Sequence, residues 1–110
     1  MQISYKDEKL RKLCENNREA VRRLGADSAK KLQSRHSDME AAENVVEIPP
    51  LGNPHPLIGD RKGQYSIGLS GGKRLVFEPD QNSFTERDGS YIDWAKVTAI
   101  TIVYIGDYHD

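Results

Sequence analysis

The sequence predicts an α+β fold: an N-terminal strand and a helical hairpin packed on a mostly antiparallel sheet. Three observations predict it. Apolar residues recur at helical spacing between Asp7 and Ala42, with Gly25 midway. Two short strand-like runs, "YSIGL" and "RLVFE", flank the Gly-rich turn "SGGK". Finally, Val97 to Tyr108 is a long run with apolar residues on both faces, as in a central strand.

Taken in order, "MQISY" reads as a short edge strand. Asp7 is placed to cap the first helix, whose stripe takes Leu10, Leu13, Cys14, Val21 and Leu24. Asn16-Asn17 is a point where that helix breaks or bends, and Gly25 stops it. After the joint Gly25-Ala26, Asp27 caps a second helix with Ala29, Leu32, His36, Met39 and Ala42 on one stripe. His36 is expected to be a half-buried structural residue there. From Asn44 to Gln64 the periodicity vanishes. This stretch holds four of the five prolines, which fix φ and remove donors, so it reads as a stiff, extended connection. "PDQNSFTERDGSYIDWAK" is long and polar for a hairpin connection and reads as an insertion or flap, anchored by Tyr91 and Trp94.

At 110 residues and 12.4 kDa the sequence is expected to form one domain, residues 1–110, around a single core. No apolar stretch approaches the roughly 18 residues that span a bilayer. The opening residues lack an apolar signal region, so export is not expected. Cys14 is the only cysteine, which excludes an internal disulfide and a Cys-based zinc site and fits a reducing, cytoplasmic setting. The formal net charge of −1 argues against a protein that coats nucleic acid non-specifically. Residues 1–43 hold ten Lys/Arg against eight Asp/Glu, and residues 44–110 hold six against nine. Within that acidic second part Arg61, Lys62, Lys73 and Arg74 form a basic island, so any nucleic acid is gripped locally.

Three pieces far apart in sequence carry chemistry: "NPHPLIGDRKGQYSI", "GGKRLVFE" and "YIGDYHD". Taken alone, each has a bland explanation. His55 between two prolines is structural as readily as functional, and Asp107-Tyr108-His109 is a cheap solvated strand end. Asp60-Arg61 reads as a local turn or ion pair, and the glycines do not have the spacing of a nucleotide-binding loop. Together the pieces supply what RNA cleavage needs. Imidazole titrates near neutral pH and serves as acid or base. A guanidinium such as that of Arg74 steadies phosphate charge with a planar fork of donors. Tyr108 suits stacking on a splayed base or a bond to phosphate, and Asp107 suits orienting an imidazole or acting on the ribose hydroxyl. Strand alternation puts Asp107 and His109 on one face and Tyr108 on the other, so a shared substrate requires the strand end to depart from ideal pleating.

The combination "HPLIGDRKGQYSI…KRLVF…DYH" resembles the HigB branch of the RelE-like bacterial toxins, also known as plasmid-maintenance killer proteins. With the helical hairpin ahead of it, the resemblance covers nearly the whole sequence. It implies the toxin of a type II toxin–antitoxin system: a small endoribonuclease that cuts messenger RNA, typically on the ribosome. It further implies silencing by a cognate antitoxin, a HigA-like helix-turn-helix protein, through which alone DNA is met. His55 and His109 fall at the family's catalytic histidines, Asp107 and Tyr108 at its C-terminal acid and phenol, and Arg74 at its phosphate-contacting arginine. Arg61, Lys62 and Lys73 are the expected RNA-binding residues. Arg22-Arg23 and Lys30-Lys31, otherwise a solvated helix surface, also suit ribosomal RNA or an acidic antitoxin segment. Two departures stand out: Ile58 occupies a place where these toxins commonly carry Lys, and the net charge is mildly acidic. A non-catalytic module that pairs with the antitoxin in operator repression is the alternative. His55, Asp107 and His109 also have metal-ligand chemistry, but the resemblance implies a metal-free reaction with no cofactor.

Overall fold

A computed structural model of the chain describes residues 1–80 and 92–107. Among these the elements run β1 (Gln2–Tyr5), α1 (Glu8–Glu15), α2 (Asn17–Leu24), α3 (Ala26–Ala41), β2 (His55–Pro56), β3 (Tyr65–Gly68), β4 (Arg74–Pro79) and β5 (Ala99–Gly106). They form one sheet in the order β1-β5-β4-β3-β2. β1 lies parallel to β5 at one edge, and the other neighbours are antiparallel. The α+β class, the edge position of the first strand and the internal position of the last are as the sequence predicts.

The helices show how local chemistry sets boundaries. Asp7 caps α1, its carboxylate accepting from the Leu10 N–H at 2.9 Å. Asn16 leaves the helical region (φ −121°, ψ 102°) and its side chain accepts from the Glu19 N–H at 3.1 Å, so one residue closes α1 and opens α2. The first arm of the expected hairpin is therefore two helices. The break resets the helical phase. Ala20 and Leu24 turn to the core, and Val21, expected on the apolar stripe, is 40% exposed. Asp27 does not cap α3 as expected. That helix starts at Ala26 directly after Gly25, and Asp27 sits inside the first turn, where its charge suits the helix dipole.

Two eight-residue helices are too short to persist alone, so packing holds them. Leu10, Leu13, Ala20, Leu24, Ala29, Leu32 and Met39 close over Ile67, Leu75, Phe77, Ile100, Ile102 and Ile105 of the sheet. Tyr65 stacks on Phe77 at 5.3 Å and meets Trp94 edge-on at 4.9 Å, anchoring the segment before β5. Tyr91, the other expected anchor, and residues 81–90 of the expected flap lie outside the described residues. Val97 precedes β5 instead of starting it: its carbonyl accepts from the Val45 N–H and it is fully buried. The two-residue β2 was hidden from periodicity by its prolines.

On the helix side, the Tyr5 hydroxyl lies 2.7 Å from His36 Nε2, and His36 Nδ1 lies 3.5 Å from Glu40. His36 thus ties α3 to β1, the structural role expected of it. Burial pushes Tyr5 up to about 12 from 10.0, helped by neighbouring acids and Cys14, and burial pushes the Cys14 thiol up to about 12 from 9.0. Both values lie above those of the unfolded chain, so the folded chain holds these protons more tightly. That contribution is complete below pH 9.0 and is lost as pH climbs toward 12. The urea midpoint should therefore fall steadily above pH 9.0, and Tyr5→Phe should flatten the fall. Asn16→Ala, which removes a cap, should cost about 1 kcal/mol in the same assay at neutral pH.

Candidate functional site

The sheet has two unlike faces. Residues paired directly across strands share a face, and alternate residues along a strand swap faces. Ile67, Leu75 and Phe77 turn to the helices. The opposite face carries a row through four strands: His55 pairs with Ser66, Ser66 with Val76, and Val76 with Tyr104. One step along, Gly68 pairs with Arg74 and Arg74 with Gly106. His55, Arg74 and the end of β5 thus come to the helix-free face. β2 and β4 are two strand spacings apart, about 10 Å, and the register shifts Arg74 two residues along.

His55 is presented by a constrained loop. Asn53 has φ +51°, and Pro54 and Pro56 restrict the backbone on either side. His55 Nδ1 lies 2.7 Å from the Asn53 carbonyl oxygen, which only accepts. Nδ1 therefore carries the proton, and in the neutral ring Nε2 keeps its lone pair. This is the tautomer a general base requires. Arg74 opens β4, half-buried, with a terminal nitrogen 3.9 Å from where a Cβ on Gly68 would stand.

Asp107 is exposed and directly follows Gly106, the pairing partner of Arg74. β5 does depart from ideal pleating there. Gly106 has φ +154°, and the Tyr104 hydroxyl donates to the Asp107 carbonyl at 2.9 Å. A Cβ at Gly106 would stand 3.1 Å from that hydroxyl oxygen and 3.3 Å from the ring. Tyr108 and His109 lie outside the described residues.

The expected RNA-binding cations divide. Lys62 is exposed, and Lys73 sits half-buried in the β3–β4 turn. Arg61 is engaged within the protein. Its guanidinium lies 5.3 Å over the Tyr104 ring and donates to Gln64 at 3.2 Å, and Gln64 in turn donates to Glu78 on β4 at 3.4 Å. This chain of contacts fastens the 3-10 turn Gly59–Arg61 to the end of β5. Sequence reasoning missed Tyr104 and Gln64 as parts of the site. Tyr104 was hidden inside an apolar run, although its position two residues before a glycine was a signal. Ser66, cross-strand from His55, is fully buried with no partner for its hydroxyl. Ile58 is 88% exposed, a large apolar side chain beside the site. Among the described residues no three His, Cys, Asp or Glu side chains cluster as metal ligands, and no helix is long and apolar enough to cross a membrane.

No protein-family model matches the sequence, and no curated protein matches it. Solved structures do match. A YoeB/ParE toxin from Agrobacterium tumefaciens superposes with a TM-score of 0.60 at 16% identity, covering 99% of this chain and 100% of that one. A YoeB–YefM complex from Staphylococcus aureus gives 0.58 at 15% identity, and a YoeB dimer from the same organism gives 0.58 at 16%. Each of these two covers 100% of this chain and 98% of its own. The chain therefore has the fold of these YoeB/ParE toxin structures.

Gly106→Ala should force the Tyr104 ring aside and strain the backbone, lowering stability by about 1–3 kcal/mol in urea melts. Tyr104→Phe, which removes only the donor to Asp107, should cost about 1 kcal/mol.

Proposed function

We propose that this chain is the toxin of a type II toxin–antitoxin system, an endoribonuclease of the HigB kind that cuts messenger RNA on the ribosome. The supporting observation is the sheet register, which sets His55, Arg74 and the Asp107 end of β5 on one face, opposite the face packed against α1–α3. Fold alone does not fix an activity, so the reading rests on what these groups do.

In the proposed reaction His55 Nε2 takes the proton from a ribose 2′-OH, and the 2′-oxygen forms a bond to the adjacent phosphorus. The bond from phosphorus to the 5′-oxygen breaks, and His109 supplies the proton that the leaving oxygen takes. The products are a 2′,3′-cyclic phosphate and a 5′-hydroxyl. Arg74 holds the phosphorane oxygens as charge builds on them. Asp107 and Tyr108 position the RNA, and Lys62 and Lys73 bind its backbone. Arg61 binds it from the turn that it secures. No metal or cofactor enters this scheme, and the site of action is the cytoplasm.

The proposed partner is a HigA-like helix-turn-helix antitoxin, and DNA is met only through that complex. That a structure of this fold is a YoeB–YefM complex supports a protein partner. The second reading, a catalytically silent module that keeps only the antitoxin, draws on exposed Ile58 beside the site, where an apolar group gives phosphate nothing.

Expression of the chain alone should arrest bacterial growth. His55→Ala and His109→Ala should each relieve the arrest, and co-expression of the antitoxin should suppress it. Wild type and variants equally harmless, with antitoxin still bound, would establish the second reading instead.

A further inference from the structure

Arg35, on α3, has no partner among the described residues. Its Nε is buried with no hydrogen-bond acceptor among them, and the guanidinium makes no ion pair there, even with Asp38 one turn along the same helix. A buried donor with no acceptor costs its desolvation. The side chain is half-buried overall, so its far end reaches solvent.

Its surroundings show what it awaits. Beyond the short β2, the edge of β3 is covered by the loop before β2: the Gly68 N–H donates to the Gly52 carbonyl at 2.6 Å. The two backbones meet without side chains. A Cβ on Gly52, which has φ +76°, would stand 2.6 Å from the Gly68 oxygen and 3.1 Å from Arg35 Nε. The Cβ position of Gly68, in turn, is 3.1 Å from the Gly52 oxygen and 3.9 Å from Arg74. Two guanidinium groups therefore flank one bare glycine ridge, Arg35 from the helix side and Arg74 from the opposite face. Following these contacts, they are no more than roughly 13 Å apart. Lys31, one turn before Arg35, is exposed, and the Ser28 hydroxyl, on the first turn of α3, bonds to Ser70 in the β3–β4 turn, bringing that helix to the same edge.

We propose that Arg35 is a second phosphate-binding residue, which holds the backbone of a single-stranded RNA where it leaves Arg74 over the Gly52–Gly68 ridge. This rests on the nuclease reading and extends it: Arg74 serves the phosphate that is cut, and Arg35 a neighbouring phosphate that is not. The missing side chains let the loop backbone close on β3, which carries Arg35 and Arg74 to the two sides of one edge. Burial at Nε already restricts the Arg35 side chain, so less rotamer freedom is lost on binding.

The test is fluorescence anisotropy of the full chain with a labelled, fully 2′-O-methylated RNA about ten nucleotides long, which binds but lacks the attacking hydroxyl. Affinity is followed between about 50 and 200 mM KCl. Arg35→Gln should weaken binding and reduce the slope of log K against log salt by about 0.7, the loss of one phosphate contact on a single strand. Arg35→Lys should keep the slope. Arg35→Gln should also melt no lower than wild type, because Arg35 makes no hydrogen bond or ion pair among the described residues that the change would remove. An unchanged affinity and slope in Arg35→Gln would overturn the proposal, as would weaker binding at unchanged slope, which marks a structural role. Loss of antitoxin binding with oligonucleotide binding intact would assign Arg35 to a protein carboxylate and overturn it too. Wild type that fails to bind the oligonucleotide at all would remove the RNA reading itself, an outcome distinct from a defect confined to the variant.

Discussion

The structure depends most on one irregularity in the pairing of β4 with β5. Strict alternation along β5 would put Tyr104, Ile102 and Ile100 on the same face. The register instead shifts between Val76 and Phe77, so that Val76 faces Tyr104 and Phe77 faces Ile102, passing over Val103. This bulge turns Ile102 and Ile100 into the core beside Ile105 while Tyr104 stays on the opposite face. Without it the strand would fill either the core or the site. The hydrophobic side contributes the stability, and the bulge lets the same strand end deliver polar groups.

Division between the faces follows from that. Helix-side residues are apolar and closely packed, and they are stapled to α3 by the Tyr5–His36 contact. The other face is organised by polar and cation–π contacts running from Glu78 through Gln64 and Arg61 to Tyr104 and the Asp107 carbonyl. Each is a modest interaction, of about 1 kcal/mol. Their value is geometric, since they fix the loop before β3 against the end of β5. Arg61, expected from sequence to bind RNA, lies in the middle of that brace.

Much of the fold was legible because its signals are local. Asp7 followed by an apolar helical stripe, Gly25 between two helices, and Ser70-Gly71-Gly72-Lys73 between two strands each name an element through backbone chemistry. Phase was harder. Asn16 announced a break, but which residues face inward after it depends on packing, so Val21 was misplaced, and Asp27 was read as the cap two residues beyond the true one, Gly25. The site was legible as residue types and not as geometry. His55 and Arg74 share a face because of strand register, and Tyr104 joins them through a bulge; neither register nor bulge appears in a single sequence. Tyr104, Gln64 and Arg35 were missed for the same reason: each matters through a contact distant in sequence.

The central claim is that side chains on the helix-free face cut RNA by attack of its own 2′-hydroxyl. The most direct measurement is the chemistry of the fragment ends, read by mass spectrometry on messenger RNA recovered from a translating extract supplied with the purified chain. A 2′,3′-cyclic phosphate on the upstream fragment and a 5′-hydroxyl on the downstream one are the result the account predicts. Fragments ending in a 3′-hydroxyl and a 5′-phosphate, or messages left intact by a folded chain, would contradict it.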